Sequence, residues 1–297
     1  MAIFKVFNSS NEDVKKYVFE WDEKPTVAEA VLYKYGSYEK RTVICCSVQS
    51  GCPVKCTFCG TGGFFKRNLT SKEIVEQVVT VLKDVGMLRK TDGIEKFQIM
   101  FMSMGEPFLN YESLELAIRS LHGLFGNAQL LVSTSAPANI LTHFTDFIKL
   151  SQEIDKVGLQ FSVHESTDEN RKKLIPTATC TLRQIATLGE LWSAFVGRKP
   201  YYNYCVHEGN NDKMDAIRLT MTFNPYVWET TLSVICEKDE SVKASIDRQL
   251  CIIDQFARHM TEHGASLRVF NPAGQDDIGG GCGQLWYYQK WLGEHKE

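Results

Sequence analysis

Seven short runs of apolar, β-branched or aromatic residues, at 42–48, 97–102, 130–133, 158–163, 201–206, 231–235 and 267–270, recur along the chain. Their spacing of roughly thirty residues is that of strand–helix–strand units. Between them the apolar positions fall at helical spacing, over 110–122, 140–150, 182–195, 212–222, 242–263 and, most clearly, 70–86. There Thr70 and Glu73 have capping-box spacing, Ile74, Val78, Val81, Leu82 and Val85 make one apolar stripe, and Gly86 stops the run. Strand and helix alternating in this way predict a parallel sheet, because parallel neighbours need a long crossover and a helix supplies it. Such a sheet is either doubly wound or curled into a complete or partial barrel. In both, the active site lies at the carboxyl ends of the strands.

Residues 1–41 break this rhythm, with a short helix expected near 12–17 and strand-like pieces at 18–21 and 30–35. They read as an N-terminal extension to a single α/β unit over 42–297, since barrel-like folds reach this length as one domain. The composition, 43% hydrophobic and 23% charged, excludes disorder. The absence of a signal-peptide pattern and of an 18-residue apolar run predicts a cytoplasmic protein with no membrane partner. Lys and Arg number 33 against 36 Asp and Glu, a net charge of -3, so nucleic-acid contact would rest on a local basic patch. In this setting ten cysteines point to metal or thiol chemistry rather than a disulfide framework.

Just after the first strand of the series stands Cys52-Pro-Val-Lys-Cys56-Thr-Phe-Cys59, followed by Gly60, Gly62 and Gly63. Three thiolates in one short loop can reach one metal centre. A structural zinc site would need a fourth ligand from elsewhere; a 4Fe-4S cluster takes one thiolate per iron, so three cysteines would leave one iron open. Three incidental cysteines at a turn is the remaining alternative. Cys180, Cys205, Cys236 and Cys251 lack this spacing and read as packing residues.

The triplet, placed after the first strand, resembles the radical-SAM superfamily, whose open iron binds the amino and carboxylate groups of S-adenosylmethionine (SAM). Met104-Gly105-Glu106-Pro107, at the end of the second strand, looks like its SAM-binding Gly-Gly-Glu-Pro element. Gly105 would let the backbone come close and Glu106 would accept hydrogen bonds from the SAM ammonium. From about residue 27 onward the chain further resembles the RlmN/Cfr family of adenosine methyltransferases, through residues 45–52, 63–70, 102–107, 162–164 and 276–285. The last stretch, ending Gly281-Cys282-Gly283-Gln284-Leu285, is the most specific.

The resemblance implies a partial (βα)6 barrel of radical-SAM type with a C-terminal catalytic-cysteine loop. It implies a 4Fe-4S cluster on Cys52, Cys56 and Cys59, and a SAM site lined by Gly105, Glu106, Ser133, Ser162, Val163 and His164. Cys282 would carry a methyl group taken from one SAM, Cys45 would resolve the covalent intermediate, and Glu29 would act as general base. Lys66 and Arg67 would face RNA. The implied activity is methylation of an adenosine ring carbon, carbon 2 more commonly than carbon 8, in rRNA or tRNA, with a flavodoxin- or ferredoxin-like electron donor. Its thiol cycle passes through a disulfide that a reducing cytosol would reopen.

Physical reasons sit beside the resemblance. An adenine ring carbon is a poor nucleophile, so direct methyl displacement from SAM fails there and a thiol carrier is needed. Cys45 and Cys46 are neighbours on a strand, so only one can enter the barrel, and the family register selects Cys45. Gly279, Gly280 and Gly281 favour a loop able to carry the Cys282 thiol between two partners. Ordinary readings stand alongside: Cys282 as a buried apolar residue, Glu29 as a solvated carboxylate, His164 as a core histidine, Lys66 and Arg67 as a charged approach to a helix.

The chain departs from the family where Cys236 replaces an asparagine that touches SAM and Gly279 replaces an aspartate, and it starts near where a helical accessory domain would end. The accessory domain bears on substrate choice, and Cys236 implies different SAM contacts at that strand or a different register. A radical-SAM enzyme acting on another nucleic acid or nucleotide, or a non-catalytic Fe-S nucleic-acid-binding protein, are the alternatives. Cleavage of SAM on reduction separates the catalytic from the non-catalytic reading.

Overall fold

The computed structural model describes residues 2–21, 26–234, 242–270 and 278, and for 2–4, 234 and 242–249 it describes the backbone alone. The chain opens with strands β1 (Ala2–Asn8), β2 (Val14–Glu20) and β3 (Val27–Tyr35), which pair antiparallel in succession and then with β4 (Ser37–Cys46). A two-stranded ribbon follows, β5 (Gln49–Gly51) with β6 (Phe65–Asn68). Then helix and strand alternate: α1 (Ser71–Asp84), β7 (Lys96–Phe101), α2 (Tyr111–Leu124), β8 (Gln129–Thr134), α3 (Ile140–Glu153) and β9 (Val157–Ser162). Two helices, α4 (Asp168–Leu174) and α5 (Leu182–Val196), lead to β10 (Tyr201–Val206). The described part closes with α6 (Lys213–Thr222), β11 (Glu229–Val234), α7 (Val242–Glu262) and β12 (Ser266–Val269).

Ten strands form one sheet in the order β1-β2-β3-β4-β7-β8-β9-β10-β11-β12, parallel from β4 onward. The repeat read from the sequence therefore is a mixed α/β sheet with six helical crossovers. Among the described residues the paired order runs from β1 to β12 without closing.

Along each parallel strand, alternate residues face opposite ways. One face, with Ile44, Ile99, Leu130, Leu159 and Leu232, is buried under the helices in the main core. The other carries Cys45, Met100, Leu131, Ser133, Gln160 and Ser162, apolar near β4 and polar toward β9. Helical burial on one side and a polar lining on the other make that second face the candidate site.

The expected helix near 12–17 is corrected to a turn and a strand. Ser9 N–H donates to Val14 O (2.9 Å), Glu12 takes a left-handed φ of 58°, and β2 starts at Val14. Six residues are too few to separate a period of 3.6 from a period of 2, and Val14, Tyr17, Val18 and Phe19 favour the strand. Residue 41 lies inside β4, so the extension and the parallel repeat share one sheet.

Candidate active site

The cysteine loop joins β5 to β6 and is wound by positions only glycine can fill. At Gly51 (φ +81°) a Cβ would stand 2.2 Å from Phe64 O, and at Gly62 one would stand 2.6 Å from Cys56 O. Cys59 N–H donates to Cys56 O (3.1 Å) and Gly62 N–H to Cys59 O (3.0 Å), so the loop coils back on itself. Burial pushes the Cys52 thiol up to about 12 and Cys56 well above its ordinary value, and mutual repulsion among the three thiolates adds to the effect. Losing those protons requires a cation bound among them. Among the described residues no three His, Cys, Asp or Glu side chains converge on a single ion. Three thiolates on one loop can each hold a different iron and leave a fourth iron open, so the donor set fits a 4Fe-4S cluster, whereas a closed zinc site needs a fourth ligand.

The loop is tied to the rest of the site. Thr57 N–H donates to Leu174 O (2.9 Å), Thr177 Oγ1 to Val54 O (2.6 Å), and the Phe58 ring meets His164 edge-on at 5.3 Å. His164 has a left-handed φ of 61°, its Nδ1 accepts from Cys205 N–H (3.3 Å), and burial lowers its pKa to about 3. It is a neutral imidazole between the cysteine loop and β10.

Gly105 (φ +97°) permits a close crossing, since a Cβ would stand 2.6 Å from Gln49 Cβ, and Glu106 N–H then donates to Gln49 Oε1 (2.8 Å). The Glu106 side chain is engaged by donors of the protein itself. Burial raises its pKa, while Phe108 N–H (3.1 Å), Thr134 Oγ1 (2.5 Å), Ser135 N–H and Ser135 Oγ (both 2.8 Å) donate to its two oxygens and oppose that rise. Four donors fill a carboxylate, so Glu106 fastens the turn Pro107–Asn110 to the end of β8.

Ser133 and Ser162 lie on the polar face, with Ser133 Oγ accepting from Gln160 Nε2 (3.2 Å). Val163 is in the main core, and its backbone N–H donates to Asn203 O (3.0 Å). Sequence reasoning missed Arg171. Almost fully buried, it donates to Ser135 O (2.6 Å), Ser162 O (3.0 Å), Val163 O (3.2 Å), Thr179 Oγ1 (2.7 Å) and Cys180 O (3.1 Å).

At the other side of the same face, Val31 on β3 pairs with Cys45 on β4. Glu29 is the next same-face residue along β3, so Glu29 and Cys45 are diagonal neighbours. Cys45 packs in a small cluster with Val14, Val31 and Ile278, flanked by Met100 and Met102. Cys46 faces the main core instead, where burial pushes its thiol up to about 12. Ile278 stands four residues before Cys282 in the sequence. Cys282, Cys236 and Gly279 to Gly281 lie outside the described residues. Glu29 is no solvated carboxylate: its Oε2 is 3.2 Å from Lys16 Nζ, and both side chains are fully buried. Lys16 was missed because its segment was read as helix; the alternation Val14, Lys16, Val18 marks a lysine on an apolar strand face.

The two basic residues separate. Lys66 is exposed on β6. Arg67 has an internal partner: its guanidinium makes paired bonds to Glu73 (2.9 and 2.8 Å), the capping-box carboxylate of α1, and lies over the Trp21 ring at 5.9 Å.

No helix among the described residues is long and apolar enough to cross a membrane. No family model matches the chain. A probable dual-specificity RNA methyltransferase RlmN of Thermotoga petrophila is 31% identical, aligned over 91% of this chain and 75% of the relative. Another of the same name, from Thermus thermophilus, is 30% identical over 96% of this chain and 77% of its own. The crystal structure of a radical SAM methyltransferase from Sphaerobacter thermophilus superposes with a TM-score of 0.76 at 25% identity, covering 95% of this chain and 80% of that one. Identity on that scale, carried on the same fold, makes the chain a member of the RlmN family of radical SAM RNA methyltransferases.

Proposed function

We propose that the protein methylates a ring carbon of adenosine in rRNA or tRNA, carbon 2 in preference to carbon 8, through a covalent intermediate on Cys282. The observation that carries this reading is the grouping of Cys45, Glu29 and Ile278 on one buried sheet face, with Cys282 four residues along the chain from Ile278. Cys52, Cys56 and Cys59 would hold the cluster, and SAM would lie against the carboxyl ends of the strands near Gly105, Ser133, Ser162 and His164. Bound there, a 4Fe-4S cluster supplies the electron, received from a flavodoxin- or ferredoxin-like donor, that splits SAM into a carbon radical.

The chain's own groups do the rest. The Cys282 thiolate first takes a methyl group from a SAM sulfonium. After that methyl gives a hydrogen atom to the SAM-derived carbon radical, its carbon joins the adenine ring and links protein to RNA. The adduct gives its ring proton to Glu29 and its unpaired electron to a one-electron acceptor. The Cys45 thiolate then attacks Cys282 Sγ: the sulfur–sulfur bond forms, the carbon–sulfur bond breaks, and the released carbon takes a proton to become the methyl group. An external dithiol returns two electrons to the disulfide.

Cys45→Ala should stall before release, so that protein purified from cells carries RNA through a denaturing gel until ribonuclease removes it. Cys46→Ala should release product normally. RNA trapped by Cys46→Ala in place of Cys45→Ala reverses the assignment, and trapping by neither removes the covalent intermediate. Nucleoside mass spectrometry of the product assigns carbon 2 or carbon 8.

A further inference from the structure

A lysine and a glutamate buried together are costly, because each ion leaves water at a penalty of several kcal/mol that their attraction only partly returns. Lys16 and Glu29 are such a pair, 3.2 Å apart with no exposed side-chain surface. Lys16 pairs across to Val31, and Val31 to Cys45, so lysine, valine and cysteine stand in one row across β2, β3 and β4. Two strand spacings put the Lys16 and Cys45 backbones about 10 Å apart. Val14, Val31 and Ile278, with Met100 and Met102, make the setting apolar. The same strand face of β2 holds Val14 and Val18 on either side of Lys16, where a third apolar residue would complete the pattern.

A carboxyl group in apolar surroundings stays protonated, and a protonated acid cannot remove a proton. An ammonium in contact reverses that preference and fixes where one carboxylate oxygen points. We propose that Lys16 is a positioning residue for the methyl-transfer cycle: its ammonium keeps Glu29 ionised and held beside Cys45, ready to take the ring proton of the RNA adduct. In that step the ring carbon–hydrogen bond breaks, the proton passes to the Glu29 carboxylate, the bonding pair stays in the ring, and Lys16 remains an ammonium throughout. The inference rests on the reading of Glu29 as the base of the cycle.

The test is a single-turnover reaction of the holoenzyme with RNA, read as the fraction of covalent adduct that goes on to release methylated RNA. Glu29→Gln and Cys45→Ala serve as references. Lys16→Met should accumulate ribonuclease-sensitive adduct and release it at least tenfold more slowly per adduct formed, as Glu29→Gln does, and Lys16→Arg should restore most of that rate. Combined with Glu29→Gln, Lys16→Met should add no further slowing, since both act at one step. Where Lys16→Met does not fold, Lys16→Gln supplies a neutral polar partner for Glu29 and the same expectation holds. Release at the wild-type rate per adduct, or a loss of adduct formation with no slowing of release, overturns the role of Lys16. Trapping by Cys45→Ala together with normal release by Glu29→Gln shows instead that the base was misassigned, and trapping by none of them removes the covalent cycle.

Discussion

Arg171 concentrates more of the site's order than any other single side chain described here. Its planar fork reaches acceptors at the ends of β8 and β9 and in the approach to α5, so it sets the distance between strands that must face one ligand. Burial lowers its pKa to about 10, which leaves it charged at neutral pH. Arg171→Met should cost at least about 3 kcal/mol, because several buried carbonyls lose their donors at once. Arg171→Lys should not rescue it, one ammonium being unable to span a planar fork. A fall in the denaturant midpoint at constant m-value measures the loss, and a change below about 1 kcal/mol would sink the argument. Nothing in the sequence marks Arg171: it stands in Asp168–Leu174, a charged run that resembles a solvated face, and its partners lie up to 36 residues away. Strand alternation, a local rule, separates Cys45 from Cys46, but which of the two turns away from the main core was read from the family register alone. The Glu106 carboxylate was only half legible: the motif located it, but donors from Thr134 and Ser135 lie beyond any local pattern.

Elements were legible in proportion to their length and periodicity. The capping box at Thr70 and Glu73, three residues apart, is present as read, while α4, seven residues with one buried side chain, has no apolar stripe to announce it. The same cap explains why Arg67 and Lys66 differ in role despite being adjacent. Although burial opposes it, the Arg67 bonds and those from Thr70 hold Glu73 below the usual glutamate range, so Arg67 belongs to the start of α1. Lys66→Ala should lower the slope of log affinity for RNA against log salt by about one unit, or slightly less on single strands. Arg67→Ala should leave that slope unchanged and lower stability by about 1 kcal/mol, the scale of a lost cap contact. Titrations at several salt concentrations, paired with thermal melts, decide between them; a reduced slope with an unchanged melt in Arg67→Ala would return it to the RNA surface.

At the scale of the whole molecule, the first strands are part of the machine. The sequence indicates strand-like pieces only at 18–21 and 30–35 and nothing of their pairing, because antiparallel register is fixed by contacts across the sheet. That pairing makes β1, β2 and β3 one edge of the ten-stranded sheet. Tyr17 and Phe19 of β2 enter the main core, and Tyr17 Oη donates to Asp84 at the end of α1 (2.7 Å). From the opposite face of the same strand, Lys16 reaches Glu29. A chain lacking residues 2–20 would lose both contacts and leave β3 as an edge whose first six residues, 27–32, are all buried in the intact protein and mostly apolar. Exposed apolar edges pair with other chains. The shortened protein is therefore expected to associate or precipitate, and to melt at lower temperature where it stays soluble. Size-exclusion chromatography and thermal unfolding of the two lengths side by side make the measurement. A monomer that melts with the full chain would show that these strands are a separable extension, and that the buried pair they supply is dispensable to the fold.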